Sequence, residues 1–153
     1  MPIRQASCAA DFDAFRRLAD EYEESLPQEL HHAAWPAERV NAEAAYGAPH
    51  AVFLAEIDGR DVGCVVLAAH DAQSVVVKKL YVTPSARATG SGRALMTALI
   101  EEARKRGCSR VLLDTHAGQL PAAYRLYLSL GFTERDAYAP VDYGCPTFME
   151  LSL

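Results

Sequence analysis

The sequence predicts a mixed α/β sandwich. Strand-like runs stand before, between and after two late amphipathic helices, and an Asp-Gly turn joins two apolar runs into a hairpin. With 153 residues, 50% of them hydrophobic, the chain can bury one ordinary core, so a single domain over 1–153 is expected.

The elements follow in order. A short strand is expected around Ile3. In DFDAFRRLADEYEESL, Phe12, Phe15, Leu18, Ala19 and Tyr22 share one face at helical spacing, with Asp11 near the start, which predicts a first helix that Pro27 interrupts. Pro36 can open a second, shorter helix over AERVNAEAAY, closed by Gly47 and Pro49. AVFLAEI and VGCVVLAA flank Asp58-Gly59 and read as an antiparallel hairpin, and SVVVKKLYV is a third strand. A helix from about Ser91 carries Leu95, Ala98, Leu99, Glu102 and Ala103 on successive turns. It gains Glu101–Lys105 and Glu102–Arg106 pairs at four-residue spacing and stops at Gly107. RVLLDT reads as a buried strand, LPAAYRLYLSLGF as a helix ended by Gly131, and weaker strands near Thr133–Tyr138 and Thr147–Leu151 finish the chain.

Charge and cysteines exclude several classes. Fifteen Lys and Arg against twenty Asp and Glu give −5. No run of like charge announces a nucleic-acid or anionic-membrane partner. No apolar run approaches the roughly 20 residues needed to span a bilayer, and MPIRQASCAADFD turns acidic rather than continuing as a signal peptide, so a cytoplasmic protein is expected. Cys8, Cys64, Cys108 and Cys145 lie far apart without a C-x-x-C pair; they read as reduced thiols, and no metal site is expected.

The stretch LYVTPSARATGSGRALM carries the chemistry. A strand ending at Val82, broken at Pro84 and re-entering a helix near Gly92 leaves the first N–H groups of that helix without internal partners. The helix dipole adds positive potential there, Gly90 and Gly92 let an anion approach the backbone, and Arg87 and Arg93 can add charge-assisted hydrogen bonds. A pyrophosphate fits best. No G-K-[ST] follows and the third glycine of a dinucleotide fingerprint is missing, so neither a Walker loop nor a Rossmann site is read here.

L-Y-V-x-P-x-x-R-x-x-G-x-G, from Leu80 to Gly92, resembles the acetyl-CoA motif of the GNAT N-acetyltransferase superfamily. Leu126-Tyr127 followed by Leu130-Gly131-Phe132 resembles its second motif, and Leu113-Asp114-Thr115 is similar to a feature of a bacterial small-molecule subgroup. The resemblance is strongest over residues 51 to 153. It implies a mostly antiparallel central sheet flanked by helices on both faces, with acetyl-CoA as co-substrate. It further implies that the backbone of Leu80, Tyr81 and Val82 pairs with the pantetheine arm where the sheet splays, and that the N–H groups of Ala88, Thr89, Gly90, Ser91, Gly92 and Arg93 bind the pyrophosphate. Tyr127 would face the sulfur as the acid that protonates the leaving thiolate; a phenol with an ordinary pKa of about 10 can donate that proton.

Two positions depart from the family's pattern. Val76 stands where many relatives place a Glu that takes the amine proton, and Leu120 stands where many have a cofactor-touching Asn. No general base is therefore assigned by motif. Asp114 and His116 are candidates at the end of their strand, although Leu-Asp-Thr fits structural capping equally well. His31 and His32 fall where the superfamily shapes its acceptor pocket, and Glu23, Glu24, Asp142 and Tyr143 could attract a cationic amine; the plain alternative for each is a solvated surface. Lys78 and Lys79 alternate across their strand, so at most one is expected near the phosphates.

The expected function is transfer of acetyl from acetyl-CoA to a primary amine of a small or amino-acid-like acceptor, by direct attack in a ternary complex. Direct attack is expected because neither Cys108 nor Cys145 sits in a nucleophile arrangement. The alternatives are a catalytically quiet acyl-CoA-binding module and an acetyltransferase for a protein or tRNA; −5 disfavours a nucleic-acid partner. The resemblance also raises a homodimer through the last strands.

Overall fold

The computed structural model describes residues 2–153. Seven strands, β1 (Ile3–Gln5), β2 (Ala51–Ile57), β3 (Arg60–Asp71), β4 (Ser74–Val82), β5 (Arg110–Thr115), β6 (Thr133–Arg135) and β7 (Thr147–Ser152), form one sheet in the order β1-β2-β3-β4-β5-β7-β6. Among the described residues only the β4–β5 pair is parallel. The helix linking those two strands, α4 (Ser91–Lys105), covers one face. The first helix, α1 (Ala9–Ser25), covers the other. The mixed, mostly antiparallel sheet with helices on both faces is thus the architecture expected.

Alternation sorts the core. Phe53, Val65, Leu67, Val75, Val77, Val111 and Leu113 point to α4 and meet Leu95, Met96 and Leu99. Val52, Leu54, Cys64 and Val66 point to α1 and meet Phe15, Leu18 and Ala19. Asp58 and Gly59, at φ 50° and 76°, make the hairpin turn with both central residues left-handed, as its Asp-Gly sequence demands.

Several boundaries differ from expectation. α1 begins two residues before Asp11, whose carboxylate reaches back to accept the Ser7 N–H at 2.9 Å, so Asp11 secures the helix entry from inside the first turn. The segment 37–46 is not one helix but two short ones, α2 (Trp35–Glu38) and α3 (Ala42–Tyr46), separated by a 3₁₀ turn. Asn41 caps the second through Ala44 N–H, and its side-chain cap is what restarts the helix. The last helix, α5, runs Pro121–Ser129, and β6 stops at Arg135 rather than reaching Tyr138. Tyr138 instead turns inward, its ring packed edge-on at 5.2 Å from Phe148.

The register of β4 shifts at Lys79, a left-handed residue at φ 52°. Strict alternation would put Lys79 on the α4 face with Val75 and Val77. The extra residue inverts the parity, so Lys79 and Tyr81 face α1 while Leu80 and Val82 face α4. Ahead of the bulge β4 has already lost β5, because the parallel pairing ends at Val76–Leu112. The sheet is therefore split from Val77 onward. Among the described residues no helix is long and apolar enough to cross a membrane.

Candidate active site

A cleft of about 1240 Å³ runs through this split. One half is bounded by β4, the loop after it and the start of α4 and α5; the other by the segment 22–50 and the loops after β5 and β6.

All the residues predicted to hold the cofactor except Thr89 line the first half. Leu80, Tyr81 and Val82 line the cleft with their β5-side edge unpaired. In the following loop Ala88 and Gly90 are left-handed at φ 65° and 87°, a curl whose successive N–H groups form a concavity for anions. Open space surrounds the Cβ position of Gly90. Gly90 caps α4 without a side chain, and the first helical hydrogen bond is Ala94 N–H to Gly90 carbonyl at 2.9 Å. The N–H groups of Ser91, Gly92 and Arg93 precede that bond, at the positive end of a fifteen-residue helix. The buried Ser91 hydroxyl meets Thr89 Oγ1 at 2.7 Å. Arg87 and Arg93 are exposed beside the loop, the first donating to Val82 carbonyl at 3.2 Å and the second to Ser129 Oγ at 2.6 Å. Leu120, immediately before α5, also lines the cleft.

Tyr127 stands where the halves meet. It is buried, its ring 5.8 Å from that of Phe132, and it faces the cleft from α5. Burial, and secondarily the charge of Asp114, push its phenol well above the ordinary value. It therefore keeps its proton throughout the physiological range.

The second half is rich in phenols and carboxylates. Asp114, on the face of β5 away from α4, accepts hydrogen bonds from Tyr143 at 2.6 Å and Tyr138 at 3.4 Å. Burial is the main cause of the raised Tyr143 and Tyr138 phenols, with Asp114 adding to it. The half-buried Tyr22 is pushed up too, first by desolvation and then by the neighbouring Tyr127. Glu38 accepts the Tyr46 hydroxyl at 2.7 Å, and Asp142 is exposed at the rim. His116 lines the cleft but is turned to its own loop, accepting Gln119 N–H through Nδ1 at 3.1 Å.

Glu23, Glu24 and His31 stand outside the cleft, and Lys79 is part of its wall. Glu23 does not line the cleft; its Oε1 meets Lys79 Nζ at 3.3 Å and His32 Nδ1 at 2.6 Å, tying α1 to the bulge and to the next segment. Lys79 is buried beneath the Trp35 ring at 4.6 Å, and that burial lowers its pKa; it is not available to the phosphates. His31 is exposed with Nε2 at 3.0 Å from Leu26 carbonyl, and Glu24 is exposed on α1. None of the four cysteines lines the cleft.

The sequence reading missed Tyr22, Glu38, Tyr46 and Tyr138. Tyr22 was visible only as one position of an apolar helix face, and nothing local pointed Tyr138 at Asp114. The arrangement can hold a long ligand with an anionic end along an unpaired strand, with a protonated phenol and a carboxylate on opposite sides of its far end.

The sequence profile of the acetyltransferase (GNAT) family matches residues 13–132. An uncharacterized N-acetyltransferase of Schizosaccharomyces pombe is 34% identical over 131 residues, covering 84% of this chain and 80% of that protein. The crystal structure of a ribosomal-protein-alanine N-acetyltransferase from Brucella melitensis superposes with a TM-score of 0.73 at 26% identity over 100% of both chains. The PaiA N-acetyltransferase from Thermoplasma acidophilum, crystallised in complex with coenzyme A, superposes with a TM-score of 0.78 at 16% identity, again over 100% of both chains.

Proposed function

The chain belongs to the acetyltransferase (GNAT) family, which uses acetyl-CoA as co-substrate, and on that premise we propose that it acetylates a primary amine of a small, amino-acid-like acceptor by direct attack in a ternary complex. The observation that carries the reading is the split between β4 and β5, which opens one cleft onto an uncapped helix N-terminus, a buried phenol and a phenol-held carboxylate.

The residues fit acetyl-CoA. The N–H groups from Ala88 to Arg93, with Arg87 and Arg93, would take the pyrophosphate, and the free edge at Leu80, Tyr81 and Val82 would pair with the pantetheine amides. When bound, acetyl-CoA supplies an activated thioester carbonyl. Tyr127 donates its proton to the departing sulfur, which its burial suits because the phenol stays protonated at neutral pH. An alkyl ammonium with a pKa near 10 must lose a proton before it attacks. Asp114 is assigned to receive it, since Val76 cannot and His116 is turned to its own loop.

A covalent acetyl-enzyme finds no support. Cys108 and Cys145 lie outside the cleft, and burial pushes the Cys64 thiol up to about 12, leaving it a poor nucleophile.

The test is to incubate the protein with acetyl-CoA and a panel of amino acids, polyamines, aminoglycosides and lysine peptides, and to seek products one acetyl group heavier by mass spectrometry. A small-amine product that falls sharply with Tyr127→Phe is expected. Acetyl-CoA binding without any product would favour the quiet binding module, and exclusive modification of the peptides would move the acceptor to proteins.

A further inference from the structure

A chamber of about 140 Å³ opens beside Asp114, floored by Val76 and walled by Lys78, His70 and Tyr138. It shares Lys78 and Asp114 with the main cleft, so it is a side pocket of the acceptor half. At roughly 30 Å³ per water-sized group it has room for four or five such groups, the size of a carboxylate with its neighbouring carbons.

Its charges are arranged unusually for this molecule. Lys79, one residue on, is spent on Glu23 at 3.3 Å. Lys78 is exposed and, among the described residues, has no carboxylate within the 4.0 Å of an ion pair. Asp114 is held by two phenols, which fix a carboxylate without neutralising it. One chamber thus presents an unpaired cation and an unpaired anion that do not satisfy each other. His70 stands at the rim, its ring edge-on to Tyr138 at 5.6 Å.

We infer that this chamber takes a carboxylate of the acceptor through Lys78, so that the substrate is a zwitterion carrying an amine and a carboxylate a few atoms apart. The inference rests on the acetyl-transfer reading above. With the amine at Asp114, a carboxylate two to four bonds away falls within the chamber, where Lys78 can give it charge-assisted hydrogen bonds. Simple amines leave Lys78 unpartnered and lose that contribution.

The experiment compares free L-amino acids, β-alanine and 4-aminobutyrate with their carboxamides, using wild type, Lys78→Met and Lys78→Arg. Acetylation is followed as kcat/KM, and binding to the protein loaded with coenzyme A by calorimetry. The amide amine is less basic and more often neutral, so a preference for the acid cannot come from the amine. Wild type is expected to prefer the acid by about tenfold or more; Lys78→Met should remove that preference while leaving the amide within about twofold, and Lys78→Arg should restore much of it. Equal use of acid and amide by wild type, or equal losses on both in Lys78→Met, would overturn the inference. Lys78-dependent binding of acids without acetylated product would leave the carboxylate subsite standing and defeat the acetyl-transfer reading; acetylation indifferent to Lys78→Met would do the reverse.

Discussion

In the proposed reaction Tyr127 would give a proton to the departing sulfur and Asp114 would take one from the amine. Tyr127→Phe is expected to lower kcat by about 10²- to 10⁴-fold with acetyl-CoA affinity unchanged, checked by steady-state kinetics beside calorimetry. Because burial and Asp114 raise the Tyr127 phenol above its ordinary value of 10.0, its acid form persists to higher pH, and kcat should hold level through pH 10. A titrating loss of kcat centred at pH 8–9 that disappears in Tyr127→Phe would contradict this. Asp114→Asn should depress kcat comparably without weakening coenzyme A; an unchanged kcat would remove Asp114 from the proton path. At this scale the sequence was uneven. Tyr127 and the glycines stand in contiguous motifs whose spacing is visible in one dimension. The hold of Tyr138 and Tyr143 on Asp114 depends on how an irregular loop folds back 24 and 29 residues later, which no periodicity encodes.

α1 and the β4 bulge meet at the buried Lys79–Glu23 pair, where the exposures of the two side chains are 4% and 12%. Lys79→Met leaves Glu23 charged with only His32 beside it and is expected to cost about 3 kcal/mol in urea denaturation, most of it recovered when Glu23→Gln is added. A loss below about 1 kcal/mol would show the pair to be dispensable. At the start of α1 the Ser7 N–H, with lesser help from Arg4, holds the Asp11 carboxyl below its ordinary 3.8 against the opposing effect of burial. A depressed carboxyl stabilises the fold above the unfolded pKa and ceases to do so as pH falls through the folded one. Asp11→Asn should therefore cost about 1–2 kcal/mol at pH 7, with the deficit closing below pH 4. A deficit that stays constant down to pH 2 would refute that origin. Helices and strands with strong periodicity were legible, and so was the hairpin. The bulge was not, because SVVVKKLYV carries apolar residues on both faces and so does not mark where its register slips, and the contacts of Lys79 with Glu23 and Trp35 form only in the fold.

Across the whole molecule, one topological fact opens the cleft: β4 pairs with β5 for three residues and then parts from it. The motif residues made a mixed sheet and an anion loop legible, but strand order and the point of parting depend on crossovers and non-local packing. The net charge of −5 also conceals a locally basic end at Arg87 and Arg93. Replacing either arginine by Ala should weaken coenzyme A by on the order of tenfold and flatten the salt dependence of binding, read by calorimetry at two ionic strengths; equal affinity at both would place the phosphates elsewhere. The most direct test of acetyl transfer at the split is a single turnover. Enzyme saturated with acetyl-CoA is mixed with the best acceptor from the panel, and free coenzyme A thiol and acetylated product are followed together in wild type and Tyr127→Phe. The expected result is stoichiometric appearance of both, at least about 100-fold slower in the variant, with no acetylated enzyme between them. Equal rates in the two proteins, or thiol release ahead of product with acetyl held on the chain, would contradict it.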